Sequence, residues 1–398
     1  MFKLTPQEQS ELTAFLSRLV RTPSLSSQEG RVAQLLVDQL RQVGVADVRV
    51  DRVGNVVARI GAGRGPVLLF NGHMDTVNVT DRAAWLHDPW LGVVDGGLLY
   101  GIGAADMKAS LAAMVYGAKK LVDTGAVLNG ELVLAFVVQE EPCEGAAMRV
   151  LVEKEGVRPD WVVLGEPTNM QISRGQRGRV ELRVTTRGRS SHAAQPEQGE
   201  NAIYSAMRLI FGIELLAGNL AHDRFLGPGS LTITKIENSA PSRNAVPDRC
   251  WFYIDRRLTL GENEARALAQ IQSVIIREGA PATVEITEYE GVSYTGYRFR
   301  MREIFPPWAL PAEHPLVQMA LKSLRQTLGR RPAITCWAFS TDGVYTMGQA
   351  HIPTIGFGPG KPELAHSPNE HVRLQDVHTA AQAYAQLAVD LLGTQDKG

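Results

Sequence analysis

Five side chains of this 398-residue sequence stand out for the chemistry they could do together: His73, Asp106, Glu141, Glu166 and His366. Two imidazoles and three carboxylates form a nitrogen–oxygen donor set that suits Zn2+, Co2+ or Mn2+ rather than copper or an iron–sulfur cluster. If one carboxylate bridges, and each ion also takes one histidine and one further carboxylate, the set holds two ions roughly 3.5–4 Å apart. Two more acids stand beside these donors. Asp75 follows His73 by two residues, so both side chains project to one side of an extended segment and Asp75 could orient the imidazole. Glu140 adjoins Glu141 and could take a proton from an attacking water. Taken singly, each signal has a plainer reading: a loop histidine beside an acid, a helix-capping aspartate at Asp106, a solvated acidic pair at 140–141.

The elements that must position these groups repeat one pattern. Val67-Leu68-Leu69-Phe70 reads as a buried strand and leads to His73. A longer apolar run over 132–138 ends in Gln139-Glu140-Glu141-Pro142, and Trp161-Val162-Val163-Leu164 ends in Gly165-Glu166-Pro167-Thr168. Asp106 sits at the mouth of a helix expected over 107–121. Buried strands that end in acids or a histidine predict an open α/β sheet with its site at the carboxyl edge. Upstream, Thr5-Pro6-Gln7-Glu8 predicts a capped helix start. Ser26-Ser27-Gln28-Glu29 predicts a second helix, running to Gly44. From Gly178 the pattern changes to period two, with strands expected around 180–185, 231–236, 250–256 and 283–289 and helices over 201–216 and 262–277. This β-α-β-β-α-β order predicts a compact α+β insert whose sheet edge or helices could meet a second subunit. Beyond it the first style returns: a helix over 315–328, a turn at Phe339-Ser340-Thr341-Asp342-Gly343, a short strand at 354–357, the loop Gly358-Pro359-Gly360, the His366 segment and a closing helix over 374–392.

Composition narrows the partners. A formal net charge of -1 gives no electrostatic case for nucleic acid or an acidic membrane surface. No run has the ~18 uncharged apolar residues of a spanning helix, and Met1-Phe2-Lys3-Leu4-Thr5-Pro6 does not read as a signal peptide. Three separated cysteines, Cys143, Cys250 and Cys336, suit a reducing cytoplasm.

With these pieces assembled, the chain resembles the M20 metallohydrolases, which include acetylornithine deacetylase, succinyl-diaminopimelate desuccinylase, aminoacylase and carboxypeptidase G. The matching stretches, in family order and spacing, are His73 to Val77, Gly101 to Lys108, Glu140-Glu141-Pro142, Gly165 to Thr168, Gly188 to His192, Asn244 to Pro247 and Ala365 to Glu370. The resemblance implies a zinc-peptidase-like α/β catalytic domain, with a central mixed sheet flanked by helices, over 1–177 and 292–398. Residues 178–291 would be a ferredoxin-like lid and dimerisation domain. It implies that Asp106 bridges two Zn2+ ions, with His73 and Glu166 completing one site and Glu141 and His366 the other. Asp75 would support His73, Glu140 would be the general base, and the peptide bond after Asp106 would be cis. His192 would reach the partner subunit's site in a homodimer and polarise the scissile carbonyl. Asn244 and Arg257 match substrate-holding positions, with Arg256 as an open rival to Arg257. Gly358 and Gly360 match the loop lining the substrate pocket.

The function this implies is hydrolysis of an amide bond in a small N-acyl amino acid or similar carboxylate-bearing substrate. Glu166 stands where some relatives carry aspartate, which leans toward a deacylase. A dipeptidase, a carboxypeptidase or an N-carbamoyl amino acid hydrolase on the same scaffold is the alternative, and an inactive binding relative is the alternative of another class. The stretches 255–257, 339–343 and 356–360 most resemble a less characterised bacterial subgroup of catabolic hydrolases.

Overall fold

Three strands with nearly continuous apolar runs lie at the centre of the computed structural model, which describes residues 2–61 and 64–394. Glu131–Val137, Val67–His73 and Trp161–Leu164 pair in parallel, with Val67–His73 in the middle and Phe70 opposite both Leu134 and Val163. Thr354–Gly356 continues the parallel run beside Trp161–Leu164. Parallel strands are covered on both faces, which is why these segments are apolar throughout rather than alternating. Five more strands bring the sheet to nine among the described residues, with Val56–Gly61 and Asp47–Val50 antiparallel on one side. Helices Pro6–Val20, Gly30–Gln42, Ala109–Asp123, Pro315–Leu328 and Leu374–Leu392 flank it and share its core. No helix among the described residues is long and apolar enough to cross a membrane.

A second sheet runs in the order Ser230–Asn238, Arg249–Leu258, Gly178–Arg187, Ala282–Ile286, all antiparallel. The alternation in Gly178–Arg187 turns Val180, Leu182 and Val184 into a separate core beneath helices Ala202–Ala217 and Glu264–Glu278. The stretch expected as one strand over 283–289 is two, Ala282–Ile286 and Glu288–Val292. The second belongs to a ribbon with Arg298–Arg302 that sets Tyr289, Tyr294 and Tyr297 against the main core. Ile304–Phe305 then returns to pair with Gly178–Arg187.

Local capping explains where the first helix starts. Thr5 and Glu8 form the expected reciprocal box: Glu8 N donates to Thr5 Oγ1 at 3.2 Å and Thr5 N donates to the Glu8 carboxylate at 2.7 Å. The second helix begins only at Gly30. Glu29 does not cap it but turns inward, where its carboxylate accepts from Ser27 N at 3.0 Å and Gln139 N at 3.1 Å. The helix after Asp106 begins at Ala109, because Asp106 and Met107 have non-helical backbone angles.

Burial works against the charge of Glu8, but the Thr5 N–H and the Lys120 ammonium outweigh it and hold its pKa down to about 2. A depressed carboxylate stabilises the fold above its ordinary pKa, and that stability is lost as pH falls through the folded value. Glu8→Gln is expected to lower stability by about 1 kcal/mol near neutrality. The deficit should close as pH falls from about 4.5 toward about 2. Urea unfolding of both proteins across that range checks this.

Candidate metal centre

The four parallel strands deliver their carboxyl ends to one edge, and the predicted donors sit there. His73 ends its strand, Glu140 and Glu141 follow Glu131–Val137, and Glu166 follows Trp161–Leu164. Asp106 reaches the same point from the turn before Ala109–Asp123; its peptide bond to Met107 is cis. His366 comes from the loop before Leu374–Leu392. Asp106 stands between the two histidines: His73 Nε2 is 3.0 Å from its Oδ1 and His366 Nε2 is 3.4 Å from its Oδ2. Glu166 lies 3.9 Å from His73 Nε2, and Glu141 lies 2.9 Å from His366 Nε2. Two donor groups result, His73–Asp106–Glu166 and Asp106–Glu141–His366, with Asp106 common to both. The His73 ring is fixed by its other nitrogen, which donates to the Asp75 carbonyl at 2.9 Å and leaves Nε2 facing the cluster.

The electrostatics of this cluster ask for cations. Burial pushes Glu166 well above the ordinary carboxylate range, and the charge of Asp106 adds to the push. Glu140 is raised by burial and then by Glu166, and burial also raises Glu141. Burial opposes the charge of Asp106 too, but hydrogen bonds from His366 and His73 hold its carboxyl below the usual range. Burial disfavours the His73 imidazolium, yet Asp106 and Glu166 keep its pKa well above normal. Hydrogen bonds to Asp106 and Glu141 lift His366 to about 10. Among the described residues, Asp106, Glu141 and Glu166 form ion pairs with the two histidines and with no lysine or arginine. A buried cluster of carboxylates without that compensation fits divalent cations with nitrogen and oxygen ligands.

The sequence model of "Peptidase family M20/M25/M40" matches residues 69–390, from the His73 strand into the closing helix. The chain belongs to that family. Its members are metal-dependent hydrolases that act on amide bonds, and this one is an enzyme of that kind. A protein of Escherichia coli (strain K12), "Uncharacterized protein YgeY", is 38% identical over 97% of this chain and 96% of its own length. The succinyl-diaminopimelate desuccinylase of Alkalilimnicola ehrlichii is 29% identical over 96% of this chain and its whole length. Among solved structures, the Bacillus subtilis YXEP protein, described as a dinuclear metal-binding peptidase of the M20 family, superposes with a TM-score of 0.70. That comparison covers 97% of this chain and 99% of YXEP at 18% identity.

In this M20 chain, Asp106, Glu140, Glu141, Glu166 and His366 line a cavity of about 290 Å3. Glu144, Arg179, Arg257, Phe339, Ser340, Pro362 and Ala365 complete its wall. Arg257 grips Asp255 with two hydrogen bonds of 2.7 and 2.9 Å. Arg256 is fully buried against Glu262, so of the two neighbouring arginines only Arg257 faces the cavity. Arg179, on the first strand of the second sheet, pairs at 2.8 Å with Glu144 of the loop that carries Glu140, and Ser340 donates to the same carboxylate at 2.5 Å. His192 and Asn244 are exposed and do not line this cavity; they lie side by side, with Ala193 N donating to Asn244 O at 2.8 Å. Gly358 and Gly360 stand behind the donors instead. A Cβ at Gly358 would meet the carbonyl oxygens of Gly165 and Glu166, and Gly360 packs on Ala105 with a φ of +88°.

Asp75 does more than was expected of it. Its carboxylate is 3.7 Å from His73 Nδ1 and instead accepts from Glu140 N and Glu141 N, both at 3.2 Å, and from Ser26 Oγ at 2.7 Å. Glu370 plays the same part for Asp106: it accepts from Gly103 N, Ala105 N and Asp106 N at 3.0, 2.8 and 3.0 Å. Sequence reading assigned it no role, although it ends the His366 stretch. Lys108 is buried and donates to Leu19 O and Thr22 O, tying the Asp106 turn to the end of the first helix. Glu370→Ala strands three buried N–H groups and is expected to cost about 3 kcal/mol in urea unfolding. Glu370→Gln, which keeps one acceptor oxygen, should cost about 1 kcal/mol.

Proposed function

We propose that this enzyme is a di-zinc deacylase that removes the acyl group from a small N-acyl amino acid. The observation that carries the reading is the sharing of Asp106 between two histidine–carboxylate groups. Such a site also accommodates Co2+ or Mn2+. Divalent cations in those positions would supply Lewis acidity to the scissile carbonyl and acidity to the attacking water. In this reading Glu140, which lines the cavity together with Glu141 and Glu166, takes the proton of that water at its carboxylate oxygen. It later gives the proton to the leaving amine nitrogen. Arg257 binds Asp255 through Nε and Nη2; among the described hydrogen bonds none engages its Nη1, which in this reading meets a substrate carboxylate. Asn244 is proposed to hold the substrate as well, and Gly358 and Gly360 to keep the ligand turns packed. The small cavity and the 29% identical desuccinylase both favour a small acylated amino acid.

The same reading makes the enzyme a homodimer in which His192 of one subunit polarises the carbonyl in the other. Two features support it. Helix Ala202–Ala217 exposes Tyr204, Met207, Phe211 and Leu215, the last two 60% and 72% accessible, along one face. The neighbouring Ser230–Asn238 strand is an open sheet edge. In this reading residues 178–291 are the lid and dimerisation domain, and 1–177 with 292–398 the catalytic domain. Three unpaired cysteines fit a cytoplasmic enzyme.

Amine release from N-acetyl, N-succinyl, N-formyl and N-carbamoyl amino acids and from dipeptides tests the substrate class. Preference for acyl amino acids is the expected outcome; preference for dipeptides would move the enzyme to the peptidases and overturn the argument from Glu166. Glu140→Gln should keep its metal content and lose about 100- to 10,000-fold in kcat. Phe211→Glu combined with Leu215→Glu should run as a monomer in size-exclusion chromatography with light scattering, and lose kcat with it.

A further inference from the structure

One buried carboxylate joins both ligand-bearing segments without belonging to either donor group. Asp342 is 1% exposed, lies outside both donor groups and does not line the cavity. Its Oδ2 accepts from Asn71 Nδ2 at 2.8 Å, and its Oδ1 accepts from Gly145 N at 2.8 Å. Asn71 is two residues before His73 on the same strand. Gly145 closes the loop, residues 138–145, that carries Glu140 and Glu141.

The incoming half of that loop is held at every step. Val138 N donates to Asn55 Oδ1, Gln139 N to Glu29, and Glu140 N and Glu141 N to Asp75, all at 3.1–3.2 Å. The outgoing half is not. Pro142 has no N–H, and Cys143 N and Ala146 N bond back into the loop, to Glu140 O and Cys143 O. Gly145 N on Asp342 is therefore the backbone tether of this half among the described hydrogen bonds. Gly145 is in the left-handed region at φ +78°, and a Cβ there would come within 2.8 Å of Val344 Cγ2, so the Asp342 turn sits directly on it. A carboxylate kept in such a place, with no lysine or arginine among its described ion pairs, is costly to bury, and packing alone would be served by a neutral side chain.

We propose that Asp342 is a positioning residue for amide hydrolysis: it sets the distance between the His73 strand and the Glu140–Glu141 loop. It does not touch the reacting atoms. The kinetic part of this proposal rests on the amidase reading above; the structural part does not. The test compares Asp342→Ala and Asp342→Asn with the wild-type metal-loaded enzyme, by steady-state kinetics on the best substrate of the panel and by hydrogen exchange with mass spectrometry. Asp342→Ala is expected to lose about 100-fold in kcat, as ~1 Å misplacements do, with KM within about twofold. Amides of 138–146 should exchange about tenfold faster while those of Glu131–Val137 keep their protection. Asp342→Asn keeps an oxygen for Gly145 N and should recover most of both. Unchanged exchange in the loop, a loss in KM rather than kcat, or faster exchange across the whole lobe in both variants would overturn the proposal. If the wild-type enzyme cleaves no amide in the panel, the deacylase reading fails and the exchange data alone decide the positioning.

Discussion

A carboxylate taken out of water must be met by positive charge or by a set of N–H donors, and most of this structure can be understood from how that demand is met. Glu29, Asp75, Asp106, Glu166, Asp342 and Glu370 are all buried. They divide by what faces them. Asp75, Asp342, Glu370 and Glu29 are met by backbone and side-chain N–H groups of the ligand turns. Asp106 and Glu166 are met by histidine. None of the first set lines the cavity or belongs to either donor group. The second set has lone pairs directed at one small volume, and the M20 chemistry follows from that division.

The parallel sheet makes the division possible. Adjacent parallel strands end on the same edge, so three neighbouring carboxyl ends bring His73, Glu140 with Glu141, and Glu166 to one edge without any long-range fitting of loops. The loop termini then need only local anchors. Each anchor is a carboxylate that accepts two or three N–H groups, a compact way to fix a turn that has no regular secondary structure of its own.

What could be read from the sequence was whatever depended on neighbours along the chain. The apolar runs before His73, Glu140 and Glu166 are visible as strands, and the closing helix falls where expected, at Leu374–Leu392. Of the donors, His73, Glu141 and Glu166 were recognisable because each follows such a run. The anchors were not. Asp342 reads as an ordinary turn residue, since its partner Asn71 lies 271 positions away. Glu29 looks like a helix cap because nothing local says it will turn toward Gln139 instead. Asp75 was read from its spacing as an aid to His73, but the backbone carbonyl does that work, and the carboxylate serves a loop 65 residues further on. Local pattern identifies groups that end a strand; it does not identify groups whose role is to receive hydrogen bonds from elsewhere.

The ion pair between Arg179 and Glu144 bears on how such a chain can change over evolutionary time. One partner belongs to the inserted sheet and the other to the loop of Glu140, and both are largely shielded from water. An insert exchanged with that of a relative lacking this arginine would leave Glu144 without its counter-charge, one turn of chain from Glu140 and Glu141. The two lobes are therefore not interchangeable modules. Drift in the insert is filtered by what the loop tolerates, and new specificities acquired through it must arrive as coordinated changes on both sides of the boundary.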